Sequence, residues 1–359
     1  MAASEMSTSW GAWMMACVVG LLIGSQSDWG ATRLLAEGKA GDPVATRKAV
    51  APPTSGAPRF NYSISHQGDV DLTRECTDAD LARAAVSKSN TESLFAGGDK
   101  ITDGGLKVLR NFKKLKVLWL ESPHVTDAGV AELKYLNGLQ VLNLNGVSLT
   151  DAGLEHLKGL RDLYHLGLLK TQVTDKGMAI LADLPGIEEL FLGHTNVTDA
   201  GLVHLKELRT LRFLDLSGPG FTDVGMAELK GQTSLERLCL TQSKMTDDGL
   251  VYIEDLSHLQ ELWLNYTGVT DKGVAHLGKL QQLVNLDLAQ TKVGDASLAV
   301  VRDLKSLKLL SLGDTQVSDA GLSQLAGLKK LLAVNLLQTK VTPAGKRALQ
   351  QALPHCRVQ

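Results

Sequence analysis

Three histidines, His156, His204 and His276, occupy one position of a pattern that recurs every 24 residues. Imidazole is a common metal ligand, but these three stand two and three repeats apart. At strand spacing that is roughly 10 to 15 Å, too far to share one ion. Glu189, Asp215 and Arg237 fall in neighbouring repeats, and two carboxylates beside a guanidinium could do acid–base work. No phosphate loop, cleft or nucleophile motif accompanies them, so a salt-bridged surface patch is the simpler reading. Cys239 sits between Leu238 and Leu240 with no histidine at hand. The other cysteines, Cys17, Cys76 and Cys356, fall at unrelated repeat positions, and neither a zinc pattern nor a disulfide framework is visible. The basic cluster Lys107, Arg110, Lys113, Lys114 and Lys116 reads as a solvated helix end rather than a nucleic-acid site. The residues imply no catalytic group, no metal and no cofactor; the chemistry left to them is recognition.

The elements that would position such residues are set by the period. A Thr-Asp pair recurs at Thr102, Thr126, Thr150, Thr174, Thr198, Thr222, Thr246 and Thr270, with weaker copies at Gly294, Ser318 and Thr342, always 24 residues on. A fixed period in this range means one supersecondary unit stacked on copies of itself. Within a unit, Leu154, Leu157 and Leu160 are spaced for one face of a short helix, whereas Leu166-Gly167-Leu168 alternates as a half-buried strand does. One such unit cannot bury enough apolar surface to offset the entropy of ordering its backbone, so the units must stack.

The Thr-Asp-x-Gly start has local reasons. Thr150 is placed to cap the helix that follows, and Asp151 puts a carboxylate in its positive first turn. Gly153 lacks a side chain where helix and neighbouring repeat should approach most closely. The Asp row is thus structural. A calcium array is the weaker reading, because the Gly-Asp spacing of calcium-binding β-helix repeats is absent.

The full line, Leu-x-x-Leu-x-Leu-x-x-Thr-x-Val, resembles the leucine-rich repeat family in a 24-residue, bacterial-type form, with Thr where many members carry a stacked Asn or Cys. The resemblance covers Ile101 to the C-terminus. It implies an α/β solenoid, a horseshoe with a parallel concave sheet and helices on the convex side. On the concave face the outward positions form columns. One holds Trp119, Asn143, Gly167, Phe191, Asp215, Cys239, Trp263, Asp287, Ser311 and Asn335; a flanking one includes His165, Glu189, Phe213, Arg237, Glu261 and Asn285, and Asn265 and Tyr266 lie on the other side. Aromatics on a solvated sheet are costly unless they cover one another or bind something. Interleaved with carboxylates and an arginine, they match the composition of protein-binding surfaces. The candidate ligand-binding residues are therefore Trp119, Phe191, Phe213, Asp215, Arg237, Trp263, Asn265, Tyr266 and Asp287.

With 359 residues, 44% of them hydrophobic, and a net charge of -2, the chain can build a large folded body and has no general pull toward nucleic acid or acidic membranes. Residues Trp10 to Gly24 form an apolar run too short to cross a bilayer as a helix, and Ser25-Gln26-Ser27 supplies small residues for a signal peptidase. No Lys or Arg precedes the run, which leaves an uncleaved anchor as an alternative. The expected organisation is a signal peptide or anchor at 1–27, a Pro/Ala/Gly-rich linker at 28–59 and an N-terminal cap at 60–100. The repeat array at 101–345 follows, then a C-terminal cap and tail at 346–359. Val70-Asp71-Leu72 alternates like a strand, and Thr77-Asp78-Ala79-Asp80-Leu81 echoes the repeat start one residue out of phase. After Thr342-Pro343-Ala344-Gly345-Lys346 no further strand is expected.

Two function classes follow. One is an exported scaffold, secreted, periplasmic or membrane-anchored, that holds a protein or a surface polysaccharide on the concave face. The other, also by resemblance, is a cytoplasmic substrate-recognition arm like those of F-box ubiquitin-ligase adaptors. Such an adaptor needs a helical docking domain ahead of its repeats, and Trp10 to Arg59 reads as an export-like run plus a linker instead.

Overall fold

The computed structural model describes residues 70–72, 76–184 and 186–359. The apolar run at Trp10, the linker and Tyr62-Ser63-Ile64 lie outside the described residues.

Among the described residues every strand joins one parallel sheet, in sequence order. The strands are β1 (Val70–Leu72), β2 (Ser93–Gly97), β3 (Val117–Glu121), β4 (Val141–Asn143), β5 (His165–Gly167), β6 (Glu189–Phe191), β7 (Phe213–Asp215), β8 (Arg237–Cys239), β9 (Glu261–Trp263), β10 (Asn285–Asp287), β11 (Leu309–Ser311), β12 (Ala333–Asn335) and β13 (Arg357–Val358). Neighbours pair in a 24-residue register, as in Leu142 against Leu166 and Leu166 against Leu190. The architecture is an α/β solenoid. β13 corrects the expectation that no strand follows Thr342: Ala333 pairs with Arg357 and Val334 with Val358, so the last unit closes in the sheet although its helix, Pro343–Ala352, is polar. Of this helix only Leu349 is buried.

The leucines behave as their spacing requires. Leu154, Leu157, Leu160, Leu166 and Leu168 are completely buried in one core that runs the length of the stack. The helical side is tighter than a regular α-helix: one α turn, Asp151–Leu154, passes into a 3-10 turn, Glu155–Leu157. Packing a repeat of only 24 residues leaves room for little more. The repeat Thr hydroxyls satisfy their own units, since Thr171 Oγ1 donates to the Leu168 carbonyl at 2.8 Å and Thr267 Oγ1 to that of Leu264 at 2.6 Å.

The Thr-Asp-x-Gly start is the joint between repeats. Thr174 Oγ1 accepts from the Lys176 N–H as a helix cap, and the same hydroxyl donates to Asp151 Oδ2 of the preceding repeat at 2.6 Å. Asp151 Oδ1 accepts the Thr174 backbone N–H at 2.8 Å, so one carboxylate grips two donors of the next unit. The same pair of bonds recurs from Asp103 to Thr126 through Asp319 to Thr342, with Ser318 standing in for Thr and Gly294 keeping the backbone bond alone. Asp151 thus does more than face a helix dipole; it links repeats. The glycine follows from this. A Cβ on Gly201 would lie 2.6 Å from Asp175 Oδ1, where no side chain fits without moving the carboxylate.

After β2 and after β4 through β12 the chain turns through a residue of positive φ. The non-glycine positions are Lys170, His194, Gln242, Tyr266, Gln290, Asp314 and Gln338, with φ between 53° and 61°. From Lys170 to Asp314 these turns are held by the next repeat: the Lys170 N–H donates to the Gly193 carbonyl at 3.0 Å and that of Tyr266 to Ala289 at 3.1 Å. A left-handed conformation costs an L-residue roughly 1–2 kcal/mol, and the ladder bond offsets it.

Candidate binding face of the sheet

The sheet face that does not pack on the helices carries the candidate residues, at the outward positions the register assigns. Their surroundings differ from expectation in one respect. Phe213 is 1% exposed, Trp263 4% and Phe191 7%, so three of the four aromatics are buried although they face away from the leucine core. Only Trp119 among those four is half-buried.

The aromatics bury one another. Ring centroids follow in sequence from Phe95 to Trp119 at 6.2 Å, Trp119 to His165 at 6.2 Å, His165 to Phe191 at 4.9 Å, Phe191 to Phe213 at 4.6 Å and Phe213 to Trp263 at 6.2 Å. The Phe191–Phe213 pair meets edge to face, the arrangement that ring quadrupoles favour. Asn143 and Gly167 separate Trp119 from Phe191 in their column, and the His165 ring fills the gap from the flanking column. Phe95 and His165 are members of this row that composition did not bring forward. The signal for both was available, because they occupy the same 24-residue columns.

A charged row runs beside the rings. His165 Nδ1 lies 2.7 Å from Glu189 Oε2, and Arg237 donates to Glu189 Oε1 at 2.5 Å across the intervening Phe213, over whose ring the guanidinium carbon sits at 4.7 Å. Burial alone would raise the Glu189 pKa. The His165 hydrogen bond and the Arg237 charge outweigh it and hold the carboxyl below its ordinary value. Glu261, one strand beyond Arg237, is pushed up by burial, which Arg237 and a long 3.4 Å bond from Asn285 Nδ2 offset only in part. The row ends in unpartnered buried atoms on both sides, His165 Nε2 and Asn285 Oδ1. Glu189 approaches Arg237 as the sequence suggested; Asp215 does not join them.

Asp215 and Asp287 are held differently. Asp215 Oδ1 accepts the Ser217 N–H at 2.8 Å and Asp287 Oδ1 accepts that of Ala289 at 3.0 Å, so each side chain fixes the exit of its own strand. Burial raises the pKa of both, that of Asp287 to about 6 despite bonds from Ala289 and Ser311. Cys239, next to Asp215, has its thiol pushed well up by burial and by that carboxylate, which makes it a poor nucleophile. Asn265 Oδ1 accepts from Thr241 Oγ1 at 2.7 Å. Tyr266, 45% exposed on a left-handed turn, stands at the rim. No group of three or more His, Cys, Asp or Glu among the described residues is placed to hold a metal.

Repeat, register and sheet face together point to one family, and a sequence profile described as Leucine Rich repeat matches residues 207–230, one full period. The chain is built of leucine-rich repeats. Its fold is similar to that of an internalin from Listeria monocytogenes, with a TM-score of 0.57 and 22% identity over 75% of this chain and 80% of that one. An LRR protein of Leptospira interrogans matches with a TM-score of 0.50 and 18% identity over 76% and 72% of the two chains. A TDR receptor matches with a TM-score of 0.51 and 16% identity over 80% of this chain and 50% of the receptor. These likenesses establish the leucine-rich repeat architecture. No curated protein sequence matches the chain. Among its described residues no helix is long and apolar enough to cross a membrane.

Proposed function

We propose that this leucine-rich repeat protein is an exported, non-enzymatic scaffold of the bacterial 24-residue type, which holds a protein partner on its sheet face. The observation that carries the reading is the row of rings from Phe95 to Trp263, laid with the His165–Glu189–Arg237 network on the face opposite the leucine core. The core is complete without it, because the buried leucines lie on the other side of each strand. Rings that shield one another form a rigid platform, and Trp119 and Tyr266 extend its apolar surface to solvent. Interfaces concentrate their energy in such pre-positioned aromatics with Arg and carboxylates around them. The thiol of Cys239 is deactivated and the Glu189 carboxylate is committed to Arg237 and His165, which supports recognition over catalysis. Export rests on the Trp10 to Gly24 run and the small residues after it.

Two experiments test this. N-terminal sequencing of the mature product is expected to start near Asp28; a cytoplasmic species beginning at residue 1 or 2 removes the export reading. Affinity capture with the full chain is expected to retain a protein partner that is lost with Trp119→Ala and kept with His204→Ala on the helix side. Loss of the partner with the helix-side variant alone would move the site to the other face.

A further inference from the structure

One column of the sheet face holds Asn143, Asp215, Asp287 and Asn335, and all four make the same contact. Oδ1 accepts the backbone N–H two residues on, at 3.0, 2.8, 3.0 and 3.0 Å respectively. The strand exit needs an acceptor, and a neutral Asn supplies it at Asn143 and Asn335. At Asp215 and Asp287 a carboxylate does the same job while 4% and 6% exposed. Side-chain bonds from Cys239 to Asp215 and from Ser311 to Asp287 do not outweigh this burial, so a carboxylate where an amide would serve works against the fold, and the charge has another use.

A second observation lies on the strands between and beside them. Glu261 is half-buried in the flanking column, with the long Asn285 bond its contact on the β10 side. Asn285 is 4% exposed and its Oδ1 has no partner. Reversing the amide would aim its oxygen at the Glu261 carboxylate, so Glu261 fixes the orientation and leaves Oδ1 unpartnered. The same stretch of sheet thus offers three carboxylates and an unpaired amide oxygen. Arg237 bonds Glu189 rather than Glu261, whose burial its charge offsets only in part. Trp263 and Phe213 floor this stretch with packed rings, Phe213 already under the Arg237 guanidinium.

We propose that the sheet face from Asp215 to Asp287 recognises a cationic, lysine- or arginine-bearing extended segment of the partner protein, with Glu261 as its direct contact. Asn285 Oδ1, Asp215 and Asp287 lie deeper and act through their field, which is stronger in this desolvated surface than in water. The inference rests on the reading of the sheet face as the binding surface, and adds the charge class of what binds there.

The test uses the full chain and fluorescently labelled short peptides of alternating lysine and serine or of alternating glutamate and serine, at physiological ionic strength. One variant combines Asp215→Asn, Glu261→Gln and Asp287→Asn. A second removes the same charge from exposed helix-side positions with Asp162→Asn, Glu228→Gln and Asp248→Asn. The lysine peptide is expected to bind the unaltered chain at least about tenfold more tightly than the glutamate peptide, and to lose about tenfold with the sheet-face variant only. Asn already holds this column at Asn143 and Asn335, so a thermal midpoint at or above that of the unaltered chain shows that the sheet-face variant is folded. Equal binding of both peptides, or no binding of either, overturns the charge class and leaves the platform reading to the partner-capture experiment. Loss of the lysine peptide with the helix-side variant alone overturns the platform reading as well.

Discussion

Two rows of aspartates run along this molecule, and they do opposite things. On the helix side, Asp103 through Asp319 recur in every repeat, and each in the unbroken part of the row uses both carboxylate oxygens on donors of the next repeat. On the sheet face, Asp215 and Asp287 appear at irregular intervals, accept a backbone N–H within their own repeat and a side-chain bond from Cys239 or Ser311 of the next, keep raised pKa values nonetheless, and share their column with Asn. A residue that recurs without exception is solving a problem every repeat has. One that breaks its column answers to something outside the stack.

The comparison can be broken first where the sheet face is most buried. Phe213→Ala removes a ring packed between Phe191, Trp263 and the Arg237 guanidinium, and is expected to cost about 3 kcal/mol or more, the range for a buried phenylalanine. Denaturant unfolding reads it; a midpoint like that of the unaltered chain would mean the ring row is not packed in solution. Gly201→Val is expected to cost on the order of 2 kcal/mol, because the new side chain displaces Asp175 from Thr198. An unchanged midpoint would show that the helix-side joint tolerates a side chain.

The pH dependence of Asp287 sharpens the comparison further. Its folded pKa, about 6, lies above the ordinary carboxylate value, so the folded protein prefers the protonated acid. Its contribution to stability is fully present below about pH 4 and is lost as pH rises through about 6. Asp287→Asn is therefore expected to raise stability at neutral pH by on the order of 1 to 2 kcal/mol, with the gain vanishing in acid. Unfolding curves at pH 7 and pH 4 decide it, and a loss at neutral pH would show that the bonds from Ala289 and Ser311 outweigh the burial of the charge. The smallest effect on stability is expected at Trp119→Ala, within about 1 kcal/mol because the ring is half-buried and near the end of its row.

The period made most of the fold legible. Spacing alone places the leucines of the core, the parallel register and the Thr helix caps, because each depends on neighbours within one unit or at a fixed offset of 24 residues. What the spacing could not show is set by contacts across repeats or between columns. The Asp151 carboxylate looked like a helix-dipole partner until its bonds to Thr174 placed it on the next repeat. Phe191, Phe213 and Trp263 read as solvated because a column has no depth in a sequence; burial came from rings in two columns leaning together, with His165 filling the gap at Gly167. The last strand was missed because a polar helix and two residues, Arg357 and Val358, carry no alternation to recognise.

The central claim is that the helix-side carboxylates serve the fold and the sheet-face carboxylates do not. The direct measurement is the equilibrium stability at neutral pH of two isosteric double variants, Asp151→Asn with Asp175→Asn and Asp215→Asn with Asp287→Asn. The first pair is expected to lose about 2 kcal/mol as the Thr174 and Thr198 hydroxyls lose their acceptors. The second is expected to hold or gain. Equal losses from both pairs would contradict the account, and would make the sheet-face carboxylates part of the frame.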